Sequence, residues 1–414
     1  MRRLYFDHAA STPADPRAVR AMRPFFSREF GNPGSLHYYG QQAIAAVDGA
    51  RERIGKLIGA KHFREVIFTG GATEANNLAL RGAVAFFRRV HPDVARPRIV
   101  ISSIEHESVA EPARALAGEW GVDVVELPVN REGVIDIMAL KDALSPETAL
   151  VSVMHVNNEI GTIEPLREIR FMIDAFRKDR AGAGRPGPYP LFHTDAAQSF
   201  PYYYLDTGLL GVDMMTLSSQ KTYGPKGAGA LFVRRDDDAF GAPGGEGTAA
   251  GFPLVAQNLG GGQEFGLRSG TENVPAIVGF AKAAEIAAAA RGKTSLRVAA
   301  LRDDLWRRIK TAVPAAEING TAGDAKAPHI LNIHFPGHPA QDLLTRFDRM
   351  GLAASSGSAC AARAAVPSRV IEALGHGKAR AAESVRFSVG KGTTRGAVAA
   401  AARIIERAVN AVAR

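Results

Sequence analysis

Cysteine is almost absent: the 414-residue chain carries a single one, Cys360. That excludes an intrachain disulfide and any metal site built from several cysteines. Long apolar runs are missing as well. No stretch approaches the ~18 consecutive apolar residues of a membrane-spanning helix, and the opening MRRLYFDHAASTP has no apolar core behind its two arginines. The expectation is a cytoplasmic protein that does not engage a membrane. Blocks of one charge are also lacking. The net charge is +9, yet the arginines are scattered among acidic residues. This describes a solvated surface that favours acidic protein partners over direct nucleic-acid binding. With 46% hydrophobic residues, the chain has enough apolar content for one large domain and a smaller one.

The periodicities alternate between strand and helix. Residues 1 to 13 read as an extended arm, and helical spacing follows from Pro16 to Phe30 and from Tyr39 to Gly59 around the turn-rich GNPGSLH. VIFTGGATEANNLAL then reads as strand (Val66 to Phe68), glycine turn (Gly70 and Gly71) and a helix starting near Thr73. Further strands are expected at Ile99 to Ser102, Val122 to Leu127 and Leu150 to His155, and near the end at His329 to Phe335 and Ser384 to Val389. Strands separated by helices at this rhythm imply an α/β fold with a mostly parallel sheet covered on both faces. We expect a large domain over 14–290 and a small one made of 1–13 and 291–414. Two glycine-rich stretches interrupt the pattern, 177–190 as a surface loop and the longer 235–262, whose length suggests a functional loop.

The chemistry gathers where strands end. Met214 to Leu217 form an apolar run leading through two serines to Lys221, and Tyr189 to Phe192 lead into HTDAAQS with Asp195 just past the strand. A lysine presenting an amine to the carbonyl of pyridoxal phosphate needs a carboxylate partner that keeps the cofactor's pyridine nitrogen protonated. Lys221 and Asp195 fill those roles. GGATE suits a phosphate, with a glycine turn, a helix amino terminus and the hydroxyl of Thr73, and Ser218 and Thr271 are further phosphate candidates. His106 follows the strand at Ile99 to Ser102, placed either to stack on a ring and shuttle protons or simply to cap a helix. Asn158 and Gln198 carry amides suited to a phenolic oxygen. Arg386, within a strand, reads either as a holder of a substrate carboxylate or as half of a structural ion pair. Cys360 sits among serines, glycines and alanines with Arg363 close by, a setting for an accessible thiolate.

Taken in order, YFDHAASTP, GNPGSLH, TGGATEANNLAL, EHESV, VNNEIGTIEP, DAAQ, SSQKTYGPKGAGAL, LRSGTEN, SSGSAC and VRFSVG resemble the cysteine desulfurases, pyridoxal-phosphate enzymes of the aspartate-aminotransferase-like fold. The resemblance spans nearly the whole chain. It looks like the branch with a long SSGSAC loop, similar to enzymes that feed iron-sulfur cluster assembly and transfer-RNA thiolation. It implies a large domain with a mostly parallel seven-stranded sheet flanked by helices, plus a smaller α+β domain. Lys221 would bind the cofactor covalently and move protons, Asp195 would pair with its ring nitrogen and His106 would stack on it. Ala72, Thr73 and Ser218 would hold the phosphate, with Thr271 reaching in from the other subunit of a homodimer. Asn158 and Gln198 would bind the phenolic oxygen, Asn32 and Arg386 the carboxylate of L-cysteine, and Cys360 would take the sulfur and pass it to an acceptor protein.

Three features depart from the family pattern, one of them the 235–262 stretch, which is longer than the usual connection and reads as a lid or a partner-docking loop. Gln220 stands where a phosphate-binding histidine is usual, and its amide still donates a hydrogen bond. His8 replaces an asparagine expected beside the substrate. The readings that compete with a desulfurase are a selenocysteine lyase or aminotransferase of the same fold, and a non-catalytic sulfur-transfer subunit.

Overall fold

The computed structural model describes residues 3–182, 187–236, 251–321, 325–357 and 367–411. Cys360, Arg363 and the middle of the 235–262 stretch lie outside the described residues. Among the described residues twelve strands run in chain order as β1 (Leu4–Tyr5), β2 (Val66–Thr69), β3 (Arg98–Ser102), β4 (Asp123–Leu127), β5 (Thr148–Ser152), β6 (Leu191–Asp195), β7 (Met214–Ser218), β8 (Gly229–Val233), β9 (Glu317–Ile318), β10 (Ile330–His334), β11 (Leu352–Ala353) and β12 (Ser384–Ser388).

Seven of them form the main sheet in the order β2-β8-β7-β6-β5-β3-β4. The pairs from β7 through β4 are parallel, while β8 is antiparallel to both neighbours. The mostly parallel seven-stranded sheet is therefore present, with β8 alone running against the others. Except at the edge strand β4, where only Leu127 is buried, its strands are covered on both faces, and alternate residues enter opposite cores. Val66, Phe68, Val100, Met215 and Leu217 pack with the helix Tyr38–Ile58. Ile67, Ile99, Ile101 and Met214 pack with the helices Ala72–Val90 and Glu107–Trp120. The period of two that separates side chains on a strand thus feeds two helical layers.

A third core forms around the antiparallel sheet β12-β10-β9 and the parallel pair β1-β11. The arm joins it directly, with Phe6 buried there and Leu4 paired with Leu352. The 39-residue helix Val274–Ala312 ties the cores together, burying Val274 to Ala284 in the first and Val298 to Ile309 in the third.

Some expected boundaries shift. The helical stretch from Pro16 to Phe30 divides into Pro16–Met22 and Pro24–Ser27, because Pro24 has no N–H to continue the ladder. The strand expected to reach His155 ends at Ser152, and Asp195 closes its strand instead of following it. The expected surface loop at 177–190 begins as helix, since Leu166–Gly182 runs into it. GALFV, not foreseen as a strand, becomes β8. The end of the 235–262 stretch is no free loop either: Phe252 and Leu254 are buried in the second core, and Val255 N–H donates to the Gly82 carbonyl.

Candidate active site

The carboxyl ends of β5, β6 and β7, the helix Ala72–Val90 and the arm enclose a cavity of about 940 Å3. Ten residues expected from the sequence line it: Ala72, Thr73, His106, Asn158, Asp195, Gln198, Ser218, Gln220, Lys221 and Arg386. Asn32 and Thr271 do not line it; both are solvent-exposed, and the Asn32 side chain accepts from Gly34 N–H at 2.9 Å. Cys360 lies outside the described residues. His8 faces elsewhere, in a second cavity of about 1090 Å3 on the other side of the arm.

The anion cradle arises where β2 turns into the helix Ala72–Val90. No side chain caps this helix at Gly71, so the N–H groups of its first turn are left without capping partners at a positive dipole end. Thr73 and Ser218 border the same space. The close approach of β8 needs a glycine: a Cβ on Gly229 would come within 2.7 Å of the Gly71 carbonyl carbon. Glu74 steadies the turn, accepting from Gly70 N–H at 2.8 Å and from Arg268 Nε at 2.6 Å.

Asp195 is buried, with Ala197 N–H donating to one oxygen at 2.9 Å and Asn76 Nδ2 to the other at 2.8 Å. Lys221 Nζ donates to the carbonyls of Ala9 and Ala10 at 2.7 and 2.5 Å. The chain just beyond is strained, as Tyr223 holds a left-handed φ of 61°. Thr12 Oγ1, which accepts from Tyr223 N–H at 3.0 Å, and the Tyr223 carbonyl, which accepts from Asp15 N–H at 2.8 Å, secure it to the arm. Gln198 is oriented from both ends: Nε2 donates to the Ala9 carbonyl at 2.9 Å, and Oε1 lies 3.1 Å from Nε2 of buried His329. One amide hydrogen remains for the cavity.

His106 takes the capping role, one of its two expected readings, while stacking on a ring stays a proposal. Its Nδ1 caps the helix Glu107–Trp120 by accepting Ser108 N–H at 3.1 Å, and the ring still lines the cavity. Burial pushes its pKa below the usual histidine value, against the pull of Asp195. Arg386 is likewise divided. It lines the cavity while donating to the Asn158 carbonyl at 2.9 Å and to Asp7 at 2.8 Å, and its buried Nε has no partner among the described residues. Asn76, Ser108, His329 and Asp7 escaped the sequence reading. Each is an ordinary polar residue whose role exists only through a partner far along the chain.

An amine, a buried carboxylate and an anion cradle converging at one edge of a seven-stranded α/β sheet define a class of enzyme. The chain belongs to the aminotransferase class-V family, whose model matches residues 4–400. Its relatives narrow this further. It is 37% identical to a protein named cysteine desulfurase IscS from Dictyoglomus turgidum, over 95% of this chain and 91% of that protein. It is 39% identical to cysteine desulfurase IscS 1 from Archaeoglobus fulgidus, over 90% of this chain and 87% of that one. Among solved structures it is similar to one described as SspA in complex with cysteine, at 34% identity and a TM-score of 0.75 over 94% of this chain and 99% of that chain. It is also similar to a NifS-like protein, at 29% identity and a TM-score of 0.83 over 98% of both chains.

Proposed function

We propose that this chain is a pyridoxal-phosphate-dependent cysteine desulfurase, converting L-cysteine to L-alanine and leaving the sulfur as a persulfide on Cys360. The observation that carries the reading is the convergence of Lys221, Asp195, His106, the uncapped helix at Ala72 and Arg386 on one cavity. The residues fit the cofactor: the uncapped helix turn, Thr73, Ser218 and Gln220 suit a phosphate, Asp195 a protonated ring nitrogen, and the free amide hydrogen of Gln198 together with Asn158 a phenolic oxygen. When bound, the cofactor supplies an electron sink for the bonding pair released at the substrate's α carbon.

The chain's own groups do the rest. Lys221 leaves the Ala9 and Ala10 carbonyls to anchor the cofactor and then carries the α proton. Arg386, which lines the cavity, holds the substrate carboxylate. The Cys360 thiolate attacks the substrate sulfur: the carbon–sulfur bond breaks, a sulfur–sulfur bond forms, and a hydrogen replaces sulfur on carbon to give alanine. The persulfide sulfur then passes to an acceptor protein in the cytoplasm, for iron-sulfur assembly or transfer-RNA thiolation. The active unit is a homodimer. Exposed Phe26, Phe30, Leu36, Tyr38 and Tyr39 surround Asn32 with apolar surface suited to a second copy, and exposed Thr271 serves the partner's phosphate site.

The test is incubation with pyridoxal phosphate and L-cysteine, followed by intact mass measurement. One added sulfur, absent in Cys360→Ala, is expected. Unmodified wild-type protein that releases no sulfide would sink the proposal.

A further inference from the structure

Behind the cavity wall lies Asn76, on the helix Ala72–Val90, with no exposed surface. Its Nδ2 donates at 2.8 Å both to Asp195 Oδ2 and to Ser108 Oγ. Ser108 Oγ in turn lies 2.8 Å from His106 Nδ1, the atom that also accepts the Ser108 backbone N–H. The directions in this chain of bonds follow from one another. A backbone N–H can only donate, so Nδ1 carries a lone pair and the neutral ring bears its hydrogen on Nε2. The Ser108 hydroxyl hydrogen therefore points to Nδ1, and its lone pairs are left for Asn76. The carboxylate of Asp195 accepts only, so the amide turns its NH2 toward it. Asn76 Oδ1 is left facing away, buried and without a partner among the described residues.

A buried amide kept for packing alone would have both ends satisfied. Here the carbonyl end is unmet and the NH2 end is used twice, once on each side of the site.

We propose that Asn76 and Ser108 are positioning residues that hold Asp195 in place and fix His106 as a neutral imidazole with its hydrogen on Nε2. The ring then offers the cavity a hydrogen-bond donor and a flat face. It cannot take a proton on Nδ1 without giving up both bonds to Ser108, so it is not a proton shuttle at that nitrogen. The charged groups facing it are Asp195 from β6, Lys221 after β7, Arg386 from β12 and Glu107 on its own helix. The part of this inference that concerns turnover rests on the desulfurase reading; the tautomer does not.

The test begins with nitrogen-15 spectra of histidine-labelled, cofactor-free protein, which report the tautomer and the hydrogen bonding of Nδ1. The wild type is expected to show the Nε2–H form of His106. Ser108→Ala keeps the backbone bond but removes the hydroxyl. Its Nδ1 resonance is expected to move toward the weakly bonded position, with kcat on L-cysteine about tenfold lower and KM changed by less than about twofold. Ser108→Thr is expected to restore both. Asn76→Ala, folded by circular dichroism, is expected to bind pyridoxal phosphate about tenfold more weakly. An Nδ1–H tautomer in the wild type overturns the proposal, as does a Ser108→Ala protein whose resonance and kcat match the wild type. A wild type with the assigned tautomer but no sulfide release overturns the desulfurase reading and supports the assigned tautomer.

Discussion

Lys221→Ala should lose the near-visible absorbance of the bound cofactor and all sulfide release, read by spectrophotometry and a sulfide assay. Lys221, Asp195 and Arg386 could be placed by the strands that carry them. Asn76 reads as one more polar position on an amphipathic helix, and its meaning comes from Asp195, 119 residues away. His329 takes its place from Gln198, 131 residues earlier. A second prediction at this scale concerns a buried carboxyl. Glu164 is buried, which raises its carboxyl pKa from 4.5 to about 8. Between those values the unfolded state gives up a proton that the native state keeps, so the stability due to this group falls as pH rises. Relative to wild type, Glu164→Gln should therefore gain on the order of a few kcal/mol between about pH 5 and about pH 8, measured by urea unfolding at each pH.

Elements with clean periodicity emerge from the sequence almost in place, including β2, β3, β7 and β10. β8 does not, because GALFV follows a glycine-proline turn and pairs antiparallel within a sheet whose rhythm is parallel. Its first residue is the one that must be small. Gly229→Ala should cost about 1–3 kcal/mol in urea unfolding and weaken cofactor binding, since the added methyl meets the backbone at Gly71. The glycine-rich stretch after β8 illustrates the opposite error, composition without packing. Its far end is core: Leu254→Ala should cost about 2–5 kcal/mol in urea unfolding, as for other fully buried leucines. A deletion meant to test that stretch as a lid must stop short of Phe252.

At the scale of the whole molecule, the division into a large and a small domain near residue 290 remains our proposal. The long helix buries no residue between Ala284 and Val298, where it passes from one core to the other. The proposed homodimer has its own test. Phe30→Asp, which puts a charge into the exposed aromatic cluster around Asn32, should shift the protein from dimer to monomer in sedimentation and remove activity, while the far-ultraviolet spectrum stays that of the wild type.

The arm has a consequence for how the molecule is made. Its first dozen residues leave the ribosome ahead of everything they will hold: Leu352 beside Leu4, Ser388 beside Asp7, the amine of Lys221 on Ala9 and Ala10. Ala9 and Ala10 can meet Lys221 early, whereas Leu4 and Asp7 wait for β11 and β12. Contacts that distant in sequence form slowly, and a nascent chain stopped before β12 lacks Arg386, so it has no finished pocket to offer.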